Sequence, residues 1–211
     1  MAKIKTYRFL FGWISKLIRP VKVLQNKTLK DERVIYCINH TSNWDFVTVL
    51  ESFDIDPICV YKEEFRKSKF YSKLFDSLGY VAVKRGEADI NAIKIFMSAL
   101  KEGKSLLLAP EGTRNKVHDG SLMPFKEGAV MLAIKTKTPI IPIYIYHPRN
   151  KKDKIISTTN IVVGEKVEFV DFYGTPITKE TLSNANQRLF NEFLKAKEIC
   201  DQYRKGKKSK K

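Results

Sequence analysis

His40 and Asp45 are the two residues best equipped to do chemistry together, in the stretch Asn39-His40-Thr41-Ser42-Asn43-Trp44-Asp45. Imidazole is a base near neutral pH, and a carboxylate that orients it completes what activation of a hydroxyl requires. Four residues separate the two, directly after the apolar run Val34-Ile35-Tyr36-Cys37-Ile38. On a straight helix residues five apart point roughly 140° away from each other, so the pair meets only across a turn. A strand tip carrying His40 and a first helical turn carrying Asp45 supply that turn. Ser42 and Asp45 also fit a capping box, with Ser at the N-cap and an acid at the third helical position. Both roles fit one side chain if one carboxylate oxygen holds the helix start and the other holds the histidine. By itself the spacing is weak, since chance gives such a pair in roughly one chain in seven of this composition.

A second chemical stretch follows the apolar run Ser105–Ala109: Pro110-Glu111-Gly112-Thr113-Arg114. Alone it reads as a surface turn. Yet Gly permits close backbone approach, and Arg offers a planar fork for phosphate or carboxylate. Three more stretches stand in order around it. Lys62-Glu63-Glu64-Phe65 opens a helical pattern, Gly79-Tyr80-Val81-Ala82-Val83-Lys84-Arg85 is a strand ending in two cations, and Pro139–Ile143 is a strand entered through proline. Taken singly these are solvated lysines and an edge proline.

The elements that must position these residues alternate. Apolar, β-branched runs occur at Val34–Ile38, Ile58–Tyr61, Tyr80–Val83, Ser105–Ala109, Ile140–Tyr146 and Ile161–Val163. Helical patterns fill about 43–53, 63–77, 88–101, 127–136 and 179–204. Such alternation predicts one α/β domain with a largely parallel sheet covered by helices. Ligands then bind beyond the carboxyl ends of the strands, where His40 and Glu111 fall. Residues 3–19 read as a basic amphipathic helix stopped by Pro20, either docked on its own domain or lying in a membrane interface. The same two placements are open to Phe65, Phe70, Tyr71 and Phe75 among their basic neighbours. The expected division is therefore 1–20 as an amphipathic helix, 21–203 as the catalytic domain and 204–211 as a basic, unstructured tail. His118 and His147 lack any partner pattern and read as loop or surface residues.

The formal charge of +16 points to anionic partners: lipid headgroups, an acidic carrier protein or nucleic acid. Cys37, Cys59 and Cys200 are too few and scattered for a disulfide framework or a zinc site, which fits a reducing compartment. No run of 18 apolar residues predicts a spanning helix. A nucleic-acid binder would account for the charge but not for the ordered stretches. A hydrolase built on Ser42 would need a nucleophile two residues from its base, and no G-x-S-x-G turn is present.

Taken together and in order, the stretches resemble the glycerolipid acyltransferase family, which includes bacterial 1-acyl-sn-glycerol-3-phosphate acyltransferases. The likeness runs from Val34 to Ile145. His40 and Asp45 match the H-x4-D block, and the strand ending in Arg85 matches the second. Glu111-Gly112-Thr113-Arg114 with Phe125-Lys126-Glu127-Gly128-Ala129 matches the third, and Pro139–Ile143 the fourth. The second block departs from the family pattern at Ala82 and Lys84. The resemblance implies a mixed sheet of the glycerol-3-phosphate acyltransferase type. It also implies acyl transfer from acyl-CoA or acyl-carrier protein to a lysophospholipid hydroxyl, with His40 as general base oriented by Asp45. Gly112 N–H and Lys62 become candidate donors to the carbonyl oxygen. Arg85 and Arg114 become candidate grips on the acceptor phosphate, with Lys126 adding to that field. Glu111 and Thr113 complete the expected substrate-binding loop, Glu111 positioning the loop or the glycerol hydroxyls. No metal or other cofactor and no nucleic acid are expected, and the protein is expected on the cytoplasmic face of the membrane, held peripherally.

Overall fold

The computed structural model describes residues 20–26, 33–77, 80–83, 90–150, 154–155 and 157–208. The segment read as a helix over 3–19 lies outside them, as do Lys84, Arg85 and residues 209–211. Among the described residues seven strands form one sheet: β1 (Val21–Gln25), β2 (Ile35–Ile38), β3 (Ile58–Lys62), β4 (Val81–Val83), β5 (Leu106–Leu108), β6 (Ile140–Tyr146) and β7 (Thr159–Val163). Their order is β1-β7-β6-β2-β5-β3-β4. Every neighbouring pair is parallel except β6 with β7. Parallel neighbours need crossovers, and helices supply them. These are α1 (Asp45–Ser52), α2 (Lys69–Ser77), α3 (Ile90–Lys101), α4 (Gly128–Thr136) and, after β7, α5 (Lys179–Lys208).

The central strands are apolar on both faces because both faces are covered. Side chains alternate across the sheet and divide the core in two. Ile35, Cys37, Leu106, Ile140, Tyr144 and Val162 pack with Phe96 and Leu100 of α3, Val130 and Ala133 of α4, and Leu189 and Phe193 of α5. Tyr36, Ile38, Leu107, Ile141, Ile143, Ile145, Ile161 and Val163 pack with Val49 of α1 and with Phe53. Each fully buried aliphatic side chain contributes about 1.5–3 kcal/mol of transfer free energy. The middle of the sheet is therefore a rigid platform, and β2, at its centre, leads into the loop that carries His40 and Asp45.

The strands match the sequence reading with one omission, and the sheet is mixed and largely parallel as expected. β1 lies in a segment of the catalytic domain to which the sequence pattern assigns no strand. It is an edge strand, and its parallel pairing with β7 begins where Thr159 N–H donates to Pro20 O at 2.9 Å. β7 runs antiparallel to β6, so the sheet is mixed. The pattern over 63–77 divides into a 3-10 turn, Glu63–Lys67, and then α2. Phe75 packs on the sheet side, with its ring 4.6 Å from Tyr61 and 6.1 Å from Tyr80, while Phe65 is exposed.

The last helix corrects the tail boundary. α5 continues to Lys208 instead of ending at Arg204. The Arg204 guanidinium lies 3.6 Å over the Tyr146 ring, donates to its hydroxyl at 2.7 Å and pairs with Asp201 at 2.8 Å. Three contacts with two residues, Tyr146 and Asp201, hold the chain in the helix where composition alone reads as a tail.

Candidate active site

The geometry begins at Asn39, just past the end of β2. Its side chain donates to Ile145 O at 2.9 Å and accepts from Ile145 N–H at 2.7 Å. A side chain thus completes the ladder to β6 where the backbone turns away, and it fixes the departure point of His40. The His40 carbonyl is held as well, accepting from Asn115 N–H at 2.7 Å. The imidazole stands edge-on to Phe46, with ring centroids 5.7 Å apart.

Asp45 is the first residue of α1 and is fully buried. Its Oδ2 accepts from His40 Nδ1–H at 2.9 Å, Thr41 N–H at 2.7 Å and Ser42 N–H at 2.8 Å. Its Oδ1 accepts from His147 Nε2–H at 2.6 Å. Burial pushes this carboxyl up. Hydrogen bonds from His147 and His40, with the backbone N–H of Ser42, more than reverse that and hold it below the usual range. The carboxylate is therefore ionised. It accepts the Nδ1 proton of His40 and leaves Nε2 as the nitrogen that can take a proton from a substrate.

Two expectations change here. The oxygens are not divided between helix start and histidine, because Oδ2 serves both and Oδ1 serves a second histidine. The capping box is only half formed. Ser42 N–H reaches Asp45, but Ser42 Oγ accepts from Trp44 N–H at 3.2 Å, and the residue at the helix cap is Trp44.

His147 follows β6 in a loop, as the sequence reading allowed, but it is 4% exposed and has partners, so the surface alternative fails. Its Nδ1 meets Thr159 Oγ1 at 2.8 Å. The signal that finds it is topological. β6 is the parallel neighbour of β2, with Ile143 opposite Ile38, so residues just past both strands emerge side by side. That neighbourhood is not written in either segment alone.

The loop after β5 gives the second half of the site. Glu111 is 2% exposed, and neither carboxylate oxygen has a hydrogen-bond partner among the described residues. Burial, and then the nearby Asp45 charge, push its carboxyl up to about 7, although the His40 and Met123 backbone groups pull the other way. Gly112 turns the chain in the left-handed region at φ +67°. A Cβ there would also come within 2.8 Å of the Lys126 side chain. The Gly112 N–H donates to Ala109 O at 3.0 Å, so it is not free to serve a substrate oxygen, and that expectation is withdrawn. The residue's part is to shape the loop.

Lys126 is anchored beside this turn by its own N–H, which donates to Pro110 O at 2.8 Å, and its side chain is exposed. Phe125 next to it sits edge-on to Phe190 and Phe193 of α5, at 5.0 and 4.9 Å. Thr113 is exposed and Arg114 is half-buried. Neither has a hydrogen-bond or ion-pair partner among the described residues. Lys62 ends β3, next to β5, although its side chain lies outside the described residues, as does Arg85 entirely. The carboxyl ends of β2 and β5 therefore bring together His40, Asp45 and Glu111, with Arg114 and Lys126 on the same loop system as Glu111. A base with an ionised orienter, a partly protonated carboxyl and unpaired cations can deprotonate a hydroxyl on a molecule that carries an anion.

The profile of the Acyltransferase family matches residues 20–146, from the start of β1 to the end of β6. The chain is 26% identical over 213 residues to the 1-acyl-sn-glycerol-3-phosphate acyltransferase of Salmonella typhimurium, covering 97% of this chain and 86% of that one. It is 29% identical over 136 residues to the coconut (Cocos nucifera) 1-acyl-sn-glycerol-3-phosphate acyltransferase, 63% of this chain and 42% of that one. It is also 33% identical over 138 residues to the chloroplastic BAT2 acyltransferase of the same name from Brassica napus, 62% of this chain and 39% of that one. The match therefore spans about two fifths of each plant relative. The crystal structure of the 1-acyl-sn-glycerophosphate (LPA) acyltransferase PlsC from Thermotoga maritima shares the fold, with a TM-score of 0.69 at 24% identity over 93% of this chain and 79% of that one.

Proposed function

The chain belongs to the Acyltransferase family, and from that premise we propose that it moves a fatty acyl group from a thioester, acyl-CoA or acyl-carrier protein, to the hydroxyl of 1-acyl-sn-glycerol 3-phosphate, giving phosphatidic acid. The observation that carries this reading is the imidazole of His40, with its Nδ1 held by an ionised, buried Asp45 and its Nε2 left for a substrate. The relatives named for this acceptor support the choice of lipid.

In the reaction, Nε2 of His40 takes the hydroxyl proton as the oxygen attacks the thioester carbonyl. The C–O bond forms and the carbonyl electron pair moves onto oxygen. Collapse then breaks the C–S bond, and the imidazolium returns its proton to the leaving sulfur. No protein nucleophile is required, because the thioester is already activated. Asp45 stabilises the imidazolium throughout. With the Gly112 N–H engaged, Lys62 is the remaining candidate donor to the carbonyl oxygen, a contribution of about 3–4 kcal/mol for one well-placed donor. Arg114, Lys126 and Arg85 hold the acceptor phosphate, and Glu111 meets the glycerol. The charge of +16 favours an acidic carrier or an anionic leaflet, which supports the reading of a peripheral enzyme at the cytoplasmic face. Among the described residues no helix is long and apolar enough to cross a membrane.

The deciding experiment gives a labelled acyl thioester to the full chain with a panel of acceptors in anionic and neutral vesicles. The panel holds 1-acyl-sn-glycerol 3-phosphate, glycerol 3-phosphate and zwitterionic lysolipids. The first should be preferred, anionic vesicles should raise the rate, and His40→Ala should remove about 10³-fold or more of it. Transfer that survives in folded His40→Ala, or free fatty acid released without acceptor, defeats the proposal.

A further inference from the structure

We propose that His147 is a positioning residue for the His40–Asp45 pair, fixing Asp45 from the far side and itself fixed by Thr159. The inference rests on the acyl-transfer reading above and adds a residue to it. The family match ends at Tyr146, one position before His147.

The geometry makes the assignment. Asp45 has two oxygens in a fully buried position, and Oδ2 already carries three donors. His147 is the donor on Oδ1, at 2.6 Å. With both oxygens held, the carboxylate cannot turn about its last bond, so Oδ2 stays aimed at Nδ1 of His40. Because Asp45 accepts, Nε2 of His147 carries the proton and Nδ1 accepts from the Thr159 hydroxyl at 2.8 Å. Thr159 is itself immobile: it begins β7, is 2% exposed, pairs with Val21 and donates its N–H to Pro20 O. The order of support therefore runs from the β1–β7 edge through Thr159 and His147 to Asp45 and then His40.

His147 is not a second base. Its side chain is 2% exposed against 13% for His40, and both of its nitrogens are occupied. Glu111 shows what a nearby buried carboxyl becomes when no donor lies within hydrogen-bond distance: despite the pull of the His40 and Met123 backbone groups, it takes up a proton near neutral pH. Loss of the His147 donor moves Asp45 toward that condition. Orienting groups one step behind the reacting atoms typically change activity 10- to 100-fold when removed.

The test uses the full chain with His147→Leu, His147→Gln and Thr159→Val. A glutamine amide nitrogen reaches about where Nε2 sits and can still donate to Oδ1. His147→Leu should lower kcat about 10- to 100-fold with both KM values within about twofold of wild type. His147→Gln should recover most of that loss, and Thr159→Val should cost only a few-fold. A merely structural histidine predicts otherwise: a stability loss in every variant and no recovery of kcat by glutamine. If His147→Leu does not fold, the glutamine and valine variants carry the test. Wild-type kcat in folded His147→Leu, or a glutamine variant as slow as the leucine one, overturns the assignment. A 15N NMR measurement of the His40 ring separates this from failure of the acyl-transfer reading. Even if the wild type transfers nothing, the Nδ1–H of His40 must weaken or move in His147→Leu and persist in His147→Gln. An unchanged His40 ring in His147→Leu overturns the proposal.

Discussion

Two buried carboxyls stand on neighbouring loops and end in opposite states. Asp45, after β2, is met by two backbone N–H groups and two imidazoles, and its carboxyl is held below the usual range. Glu111, after β5, is about as buried, has no donor within hydrogen-bond distance among the described residues, and is pushed up to about 7 despite the pull of the His40 and Met123 backbone groups. Burial acts the same way on both, so donors decide the charge. The contrast is also useful. Two ionised carboxylates side by side would repel, whereas one fixed charge beside one adjustable carboxyl gives His40 a steady partner and leaves Glu111 able to accept or donate a hydrogen bond to a hydroxyl.

The sharpest way to break this contrast is to make the same chemical change at each position. Asp45→Asn keeps the shape and removes the charge. The amide can present its nitrogen to His40, which then carries its proton on Nε2 and can no longer act as a base. The expected loss in kcat/KM is about 10³- to 10⁴-fold. The three remaining donors, Thr41 N–H, Ser42 N–H and His147 Nε2–H, are then left with a single carbonyl oxygen, so unfolding free energy should fall by about 2–4 kcal/mol at neutral pH. A depressed carboxyl contributes stability above its unfolded pKa and loses it as pH falls through its folded value. The gap between wild type and Asp45→Asn should therefore close in acid. Activity within tenfold of wild type would mean that Asp45 only caps the loop.

Glu111→Gln should move stability the other way. The folded carboxyl titrates at about 7 against an ordinary value of 4.5, so the folded state holds the proton more tightly than the unfolded one. Its stability contribution is complete below about 4.5 and is lost as pH rises through 7, by up to roughly 3 kcal/mol. Glutamine does not titrate. Urea unfolding at pH 5 and pH 8 should show the variant gaining on wild type at the higher pH. A difference independent of pH would mean that Glu111 is better solvated or better paired than its burial implies.

What the sequence disclosed follows the same divide between local and distant causes. β2, β5 and β6 were legible because strands covered on both faces are nearly continuous apolar runs. His40, Asp45, Glu111 and Arg114 were legible because each falls in or just after a short loop that leaves such a strand. β1 was not, because Val21-Lys22-Val23-Leu24-Gln25 is a half-buried edge whose partner lies more than 130 residues away. His147 was hidden for that reason too, since its partners Asp45 and Thr159 come from two other strands' ends. Arg204 read as tail because charge is visible in a sequence and the Tyr146 ring beneath it is not. The state of Glu111 could not be read at all, because an absence of donors is a property of the folded loop.

Arg114 gives the smallest of these effects and the one that best separates the two loops. On the His40 loop the side chains of Asn39, Ser42 and Asp45 are hydrogen-bonded from within. Arg114, three residues from Glu111, forms no ion pair with it and has no hydrogen-bond partner among the described residues. A half-buried guanidinium with no internal partner is suited to an anion that arrives with the substrate, and it can meet a phosphate through two parallel N–H groups. A charged hydrogen bond contributes about 1.5–3 kcal/mol, so Arg114→Ala should raise the apparent KM for the lysophospholipid about tenfold or somewhat more. The KM for the acyl donor should stay within about twofold, and kcat should change little, since the contact is made equally before and during the reaction. Arg114→Lys should recover part of the loss, because it restores the charge but not the fork. An equal rise in both KM values would place Arg114 at the donor instead. The β5 loop would then grip the thioester carrier, and the acceptor phosphate would fall to Lys126 and the end of β4.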